Sequence, residues 1–218
     1  MLGAVLRSLP RVVRWLIFME FGFKASPDLF REEQLKEQFK LEPGWVFVDV
    51  GASMGMYTVM ASRQVRKTGL VVAIEPHPQS FDFLRFIVSL LRLKNVRVFN
   101  VALYSKDSII DLYLGKEPPL SSVMSDSGFG SMKVRAFALD SLMKVLGIEC
   151  VNAVKIDVEG AEMEVLRGME KSIKICKFIT VELHGKDKAT LVKCFLENEG
   201  FSTKRLGKNK KHILGVRK

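Results

Sequence analysis

From Val46 onward, short runs of β-branched and aromatic residues alternate with stretches whose apolar positions recur every three or four residues. The runs Val46–Val50, Leu70–Glu75, Val96–Val101, Ala153–Asp157 and Phe178–Leu183 predict strands. The stretches between them predict helices over about Met56–Arg66, Gln79–Leu93, Leu139–Leu146, Ala161–Met169 and Lys188–Glu199. Strands that are apolar along their whole length and separated by helices imply a parallel sheet covered on both faces. Gly200 stands where a helix-ending glycine is expected. After it, Phe201–Leu206, the polar turn 207–211 and Ile213–Arg217 predict an antiparallel hairpin. The expected fold class is α/β, a mostly parallel sheet closed by that hairpin.

Two stretches fall outside this rhythm. Residues 104–137 hold short strand-like pieces around Pro118-Pro119, Ser121-Ser122 and Gly128–Gly130, read as an insertion that forms extra strands or a lid. Residues 1–40 form a helical segment ahead of the main domain, 41–218. Within that segment Val5, Leu6, Leu9, Val12, Val13, Leu16 and Ile17 share one helical face while Arg7, Arg11 and Arg14 gather on the other. Such a basic amphipathic helix, ending in Trp15, Phe18, Phe21 and Phe23, suits packing on the domain or a second subunit, or peripheral contact of residues 5–23 with an anionic membrane surface. Ser26-Pro27-Asp28 then reads as the capped start of a helix running to about Lys40.

Composition narrows the setting. At 218 residues, 48% of them apolar and 27% charged, the chain has enough apolar material for one core. Three cysteines without a C-x-x-C pair argue against a disulfide framework or structural zinc, so a reducing cytoplasm is expected. No uncharged apolar run approaches the roughly 18 residues that span a bilayer, and arginines interrupt the stretch a secretory signal would need. The net charge of +10 leaves anionic partners open.

The most informative stretch is Val46-Phe-Val-Asp-Val-Gly-Ala-Ser-Met-Gly-Met-Tyr-Thr58, an apolar strand that enters a glycine turn and then a helix. In open α/β sheets, ligands bind at the carboxyl ends of strands, where such turns sit. Glu75 lies 20 residues beyond Gly55, at the end of the second strand, where an acid can accept both hydroxyls of a ribose. An adenosine-containing ligand follows. The dinucleotide pattern G-x-G-x-x-G fails here, because Gly51 and Gly55 flank Ala52, Ser53 and Met54, and no Gly-Lys-Ser/Thr follows to make a phosphate loop. Asp49 beside the turn would repel a pyrophosphate and suit a cation, such as the ammonium or sulfonium of S-adenosylmethionine.

A second strand, turn and helix, Ala153-Val-Lys-Ile-Asp-Val-Glu-Gly-Ala-Glu162, is packed with acids. Asp157 and Glu159 fall just past the strand at the same sheet edge. Carboxylates are costly to bury there unless a cation or hydrogen-bond donor meets them. Glu162 and Glu164 fit a plainer role, complementing the positive end of the helix that begins there.

Asp49-Val-Gly-Ala-Ser-Met-Gly-Met-Tyr-Thr58, Ala73-Ile-Glu-Pro-His-Pro78, Lys155-Ile-Asp-Val-Glu-Gly-Ala-Glu162 with Leu166-Arg-Gly168, and Val181-Glu-Leu-His184 together resemble the FkbM-type methyltransferases. The blocks stand in the family's order and cover about residues 44 to 185. Ser53 stands where the family often has Asn, and the N-terminal basic helix is not part of the family core. The resemblance implies a class I methyltransferase fold with a seven-stranded sheet, S-adenosylmethionine as methyl donor, and a hydroxyl of a sugar, polyketide or lipid-like product as acceptor.

It also implies roles. Gly51, Ala52 and Gly55 let backbone approach the amino-acid portion of the donor, with Ser53, Met54, Tyr57 and Thr58 completing that side. Asp49 takes the ammonium through the loop, Glu75 and Pro76 border the ribose, Asn100 and Ala102 lie near the adenine, and Asp157 also belongs to the donor's binding set. An alcohol must lose a proton as it accepts a methyl group, so a base or metal is expected beside it. Asp157, Glu159, Glu182 and His184 are the candidates. Either His184 or Asp157 is the base, or Asp157 and Glu182 hold a Mg²⁺ that acidifies the hydroxyl. His77 and His212 have no comparable setting in the sequence. RNA is the rival acceptor, suggested by net charge and by Lys204, Arg205, Lys208, Lys210 and Lys211, and a non-catalytic sensor of the donor is a third reading.

Overall fold

The computed structural model describes residues 40–115, 121–124, 128–185, 188–206 and 211–217. The expected helices within residues 1–39, the Pro118-Pro119 piece and most of the 207–211 turn, including Lys208 and Lys210, lie outside them. The main sheet has seven strands: β1 (Val46–Val50), β2 (Leu70–Ile74), β3 (Val96–Phe99), β7 (Ala153–Ile156), β8 (Phe178–Glu182), β9 (Ser202–Leu206) and β10 (His212–Val216). Their order is β3-β2-β1-β7-β8-β10-β9, with β10 antiparallel to both of its neighbours and the other pairings parallel. Burial accounts for the apolar strands: β7 is buried along its length, and β1, β2 and β8 in four residues of five.

Helices α1 (Met56–Val65), α2 (Pro78–Leu90), α3 (Leu139–Leu146), α4 (Glu162–Arg167), α5 (Ser172–Ile175) and α6 (Lys188–Asn198) complete the unit. Pro78 starts α2 with its φ already helical, and Ser80, Leu84 and Ile87 put one stripe of that helix against the sheet. α3 ends at Gly147, whose φ of 66° is the left-handed conformation that closes a helix without a side-chain penalty. The short α5 is absent from the sequence pattern. Its first N–H groups are met by Asp140 of α3, which accepts from Lys171 at 2.6 Å and Ser172 at 2.8 Å, a tertiary cap that periodicity does not reveal.

The insertion is a three-stranded sheet of β4 (Ala102–Leu103), β5 (Ser108–Tyr113) and β6 (Ser131–Phe137), ordered β4-β6-β5. The single run expected over Val96–Val101 therefore stops at Phe99, and the chain leaves the main sheet at once to enter the second. Strand β9, at the edge of the main sheet, carries exposed Lys204 and Arg205. Charge on a sheet edge deters pairing with another chain, which gives two of the basic hairpin residues a structural use.

Candidate functional site

Between β1 and β7 the strand order reverses, and at such a switch point the loops diverge and leave a crevice at the carboxyl ends of the strands. The cleft there is walled by residues from the ends of β1, β2, β7 and β8 and by Leu112, Ser121 and Val123 of the insertion. Gly51 fits the β1 end to the β7 end. Its φ is +73°, and a Cβ there would stand 1.8 Å from the carbonyl oxygen of Asp157. Gly55 has another use, since a Cβ would stand 2.5 Å from Leu84 of α2.

Of the loop residues expected to meet the donor, Gly51 and Ser53 line the cleft. The loop is braced from within. Gly51 and Ala52 both donate to the carbonyl of Ile74 at 3.0 Å, and Ser53 N–H donates to Glu75 Oε2 at 2.8 Å. Met54 is exposed, whereas Ala52, Tyr57 and Thr58 are buried, and none of the four lines the cleft.

Glu75 and Pro76 stand on the cleft wall. Glu75 is 6% exposed and accepts from Ser53 N–H and His77 N–H, each at 2.8 Å. Burial pushes its carboxyl up to about 7 against the pull of those two bonds. Each oxygen keeps a lone pair for a further donor, as ribose hydroxyls would require. Ala102 also lines the cleft. Asn100 is instead a clamp, donating to the carbonyls of Glu75 and Pro76 at 2.9 Å and fixing the turn after β2.

Asp49 is fully buried and is not on the cleft wall. Its Oδ2 accepts from Thr58 Oγ1 at 2.6 Å, and its Oδ1 has no hydrogen-bond partner but lies 3.8 Å from Lys155 Nζ. Burial raises its pKa, opposed chiefly by Lys155. In the sequence Lys155 is a lysine inside an apolar strand, which gives no sign of its surroundings. It is 4% exposed, its Nζ lies over the Tyr57 ring at 4.3 Å, and it donates to Asp157 Oδ2 at 3.1 Å. Burial would strip its proton, but Asp157 and Asp49 reverse that and raise its pKa. A fixed cation thus lies under the cleft floor, between the first and second sequence blocks.

All four acceptor-side candidates converge. Asp157, Glu159 and Glu182 line the cleft, and His184 Nε2 lies 3.4 Å from Glu159 Oε1, 3.8 Å from Asp157 Oδ1 and 4.0 Å from Glu182 Oε1. Burial would lower the His184 pKa, but the Glu162 hydrogen bond, Glu159 and Asp157 outweigh it and raise it. For Glu159, burial raises the pKa and His184 opposes the rise. Asp157, Glu182 and His184 each bring one ligand atom within 4.8 Å of the others, a spacing that one divalent cation could use.

Glu162 does more than complement the helix dipole. It is fully buried, with Oε1 facing His184 Nδ1 at 2.9 Å and accepting from Gly160 N–H at 3.0 Å, while Lys188 Nζ lies 3.3 Å from Oε2. Burial would raise its pKa, but the His184 bond and Lys188 help to lower it below the usual glutamate value. His212, read as lacking a comparable setting, lies across from Glu182 in the β8–β10 register, its Nδ1 4.0 Å from Glu182 Oε2. The register of the antiparallel β8–β10 pairing decides that neighbour, and composition cannot show it. His77 stays apart, its backbone held by Glu75 and its Nδ1 buried without a partner.

The insertion is tied to this loop. Ser122 Oγ donates to the Glu159 carbonyl at 2.7 Å, and Met124 lies against Gly160.

The family model for the methyltransferase FkbM domain matches residues 49–203. Hexuronic acid methyltransferase AglP of Haloferax volcanii is 28% identical over 191 residues, covering 79% of this chain and 70% of that protein. Methyltransferase 1 of Beauveria bassiana is 26% identical over 179 residues, 71% of each chain. Among solved structures, methyltransferase FkbM from Methylobacillus flagellatus KT gives a TM-score of 0.63 at 13% identity, covering 99% of this chain. The present chain spans 57% of the length of that protein. Precorrin-6y C5,15-methyltransferase from Geobacter metallireducens GS-15 gives 0.57 at 15% identity, covering 91% of this chain and 96% of its own. These structures establish the class I methyltransferase fold. With its sheet order and a family match over most of its length, the chain belongs to the FkbM methyltransferase family.

Proposed function

We propose that this methyltransferase moves the methyl group of S-adenosylmethionine to a hydroxyl of a sugar or other small-molecule acceptor. The observation that carries the reading is the meeting, in one cleft, of a ribose-competent carboxylate, Glu75, with Asp157, Glu159 and Glu182, against which His184 Nε2 is held. The donor, when bound, supplies an activated methyl group on a cationic sulfur. The chain supplies the rest. Gly51 leaves room beside the β7 turn, Glu75 accepts hydroxyl hydrogens, and the buried Asp49–Lys155 pair holds half-buried Asp157 in place. Aligning nucleophile and methyl in such a cleft is a positioning effect worth up to about 7–11 kcal/mol. A sugar acceptor is supported by the hexuronic acid methyltransferase relative.

A second reading, in which a divalent cation on Asp157 and Glu182 acidifies the hydroxyl, is favoured by the spacing of their oxygens. RNA as acceptor is supported by the fold likeness to a putative rRNA methylase of Clostridium thermocellum, with a TM-score of 0.52 at 14% identity. Incubating the chain with radiolabelled S-adenosylmethionine and fractionated cell extract separates the acceptors. Label is expected in the glycan or small-molecule fraction. Label confined to RNA, or no transfer at all, would replace this reading with the RNA or the sensor alternative.

A further inference from the structure

We propose that Glu162 is a positioning residue of the transfer step: it fixes the His184 ring through Nδ1 and turns Nε2 toward Asp157, Glu159 and Glu182, where the neutral imidazole accepts the acceptor hydroxyl's proton. The proposal rests on the methyl-transfer reading above and assigns the proton within it. His184 follows the end of β8 and Glu162 opens α4, so two neighbouring strand-end loops meet in this pair. Glu162 is fully buried, and its Oε1 receives both the His184 backbone N–H at 3.2 Å and the ring Nδ1 at 2.9 Å. A carboxylate accepts only, so Nδ1 must carry the hydrogen. The other Glu162 oxygen is matched by Lys188, which also donates to the Gly160 carbonyl. Both oxygens are engaged, and the ring is fixed at its backbone and at one nitrogen.

The opposite nitrogen faces three carboxylates, Asp157 and Glu159 beyond β7 and Glu182 at the end of β8, at 3.4 to 4.0 Å. Beyond Glu182 stands His212 of β10, and under Asp157 stands Lys155. This surround suits an imidazolium that forms during the reaction. In the step, the sulfur–methyl bond of the donor breaks and its electron pair returns to sulfur, giving the neutral thioether. The oxygen–methyl bond forms, and the hydroxyl proton passes to Nε2. One positive charge is thereby moved from sulfur to the imidazole, where the three carboxylates and Glu162 receive it. A carboxylate behind an imidazole that takes a hydroxyl proton is the logic of hydrolase triads, here serving a displacement at methyl.

The test uses the full chain and three variants, Glu162→Gln, Glu162→Asp and His184→Asn. Imidazole nitrogen NMR of ¹⁵N-histidine-labelled protein at pH 8.5, assigned with His184→Asn, should show His184 protonated at Nδ1 in the wild type and a mixture of tautomers in Glu162→Gln. With the extract fraction that takes label as acceptor, Glu162→Gln should lose about 100-fold in kcat, with KM and S-adenosylmethionine affinity within about threefold. Glu162→Asp, which keeps the acceptor-only chemistry, should recover part of the rate. The proposal is overturned by Nε2 protonation in the wild type or by Glu162→Gln turning over within threefold of it. Loss of rate with equal loss of donor affinity would make Glu162 merely structural. Turnover abolished by a chelator and restored by Mg²⁺ would hand the proton to a metal-bound hydroxyl instead. A wild type that binds no S-adenosylmethionine removes the methyl-transfer reading itself, an outcome calorimetry reports separately.

Discussion

At the residue scale, Glu75 is the group whose chemistry is most exposed to measurement. Its folded pKa of about 7 lies above the ordinary 4.5, so between those values the folded chain holds a proton that the unfolded chain has released. Through this group the ligand-free protein loses stability as pH rises from about 4.5 to 7. Donor binding runs the other way, because ribose hydroxyls donate to the ionised form. Affinity for S-adenosylmethionine should rise about tenfold from pH 6 to pH 8 as the carboxyl ionises, and Glu75→Gln should abolish that rise. Calorimetry at the two pH values checks both, and a wild type as flat as Glu75→Gln would take the ribose away from Glu75. The sequence marked Glu75 because its distance from the glycine turn is set locally. It gives no sign of Lys155 and only a helix-dipole role for Glu162, because the importance of both comes from partners on other strands and loops.

At the scale of elements, hydrophobic runs predicted the strands of the main sheet to within a residue or two, because parallel strands buried on both faces cannot hide their composition. What escaped was set by tertiary contact: the cap of α5 by Asp140, the early departure of the chain after Phe99, and the neighbour of His212. The β1 turn is the element on which the cleft depends. Gly51→Ala would push a methyl group into the Asp157 carbonyl and ask an L-residue to keep a φ of +73°. The expected loss is more than about 2 kcal/mol of stability, read by urea unfolding, together with loss of donor binding. An alanine variant that unfolds like the wild type and still binds would show that the two strand ends need no such closeness.

For the whole molecule, net charge and local charge point in different directions. The chain carries +10 overall, yet the cleft wall presents Glu75, Asp157, Glu159 and Glu182. Basic residues such as Lys204 and Arg205 lie on the β9 edge instead. Any attraction for RNA is therefore expected to be diffuse. Gel retardation at low salt should vanish by about 200 mM salt, with no methyl label entering the RNA. Retention at that salt together with label incorporation would favour RNA as the true acceptor. Among the described residues no helix is long and apolar enough to cross a membrane.

One loop residue carries a consequence for how such a protein could be improved. Glu159 holds a φ of +46°, a backbone state in which glycine would be at ease and a glutamate is not. Glu159→Gly should raise the thermal midpoint by a degree or more while emptying one of the three carboxylate places around His184 and slowing turnover. Heat tolerance and speed then compete at a single codon, and selecting variants for durability alone would cost activity there.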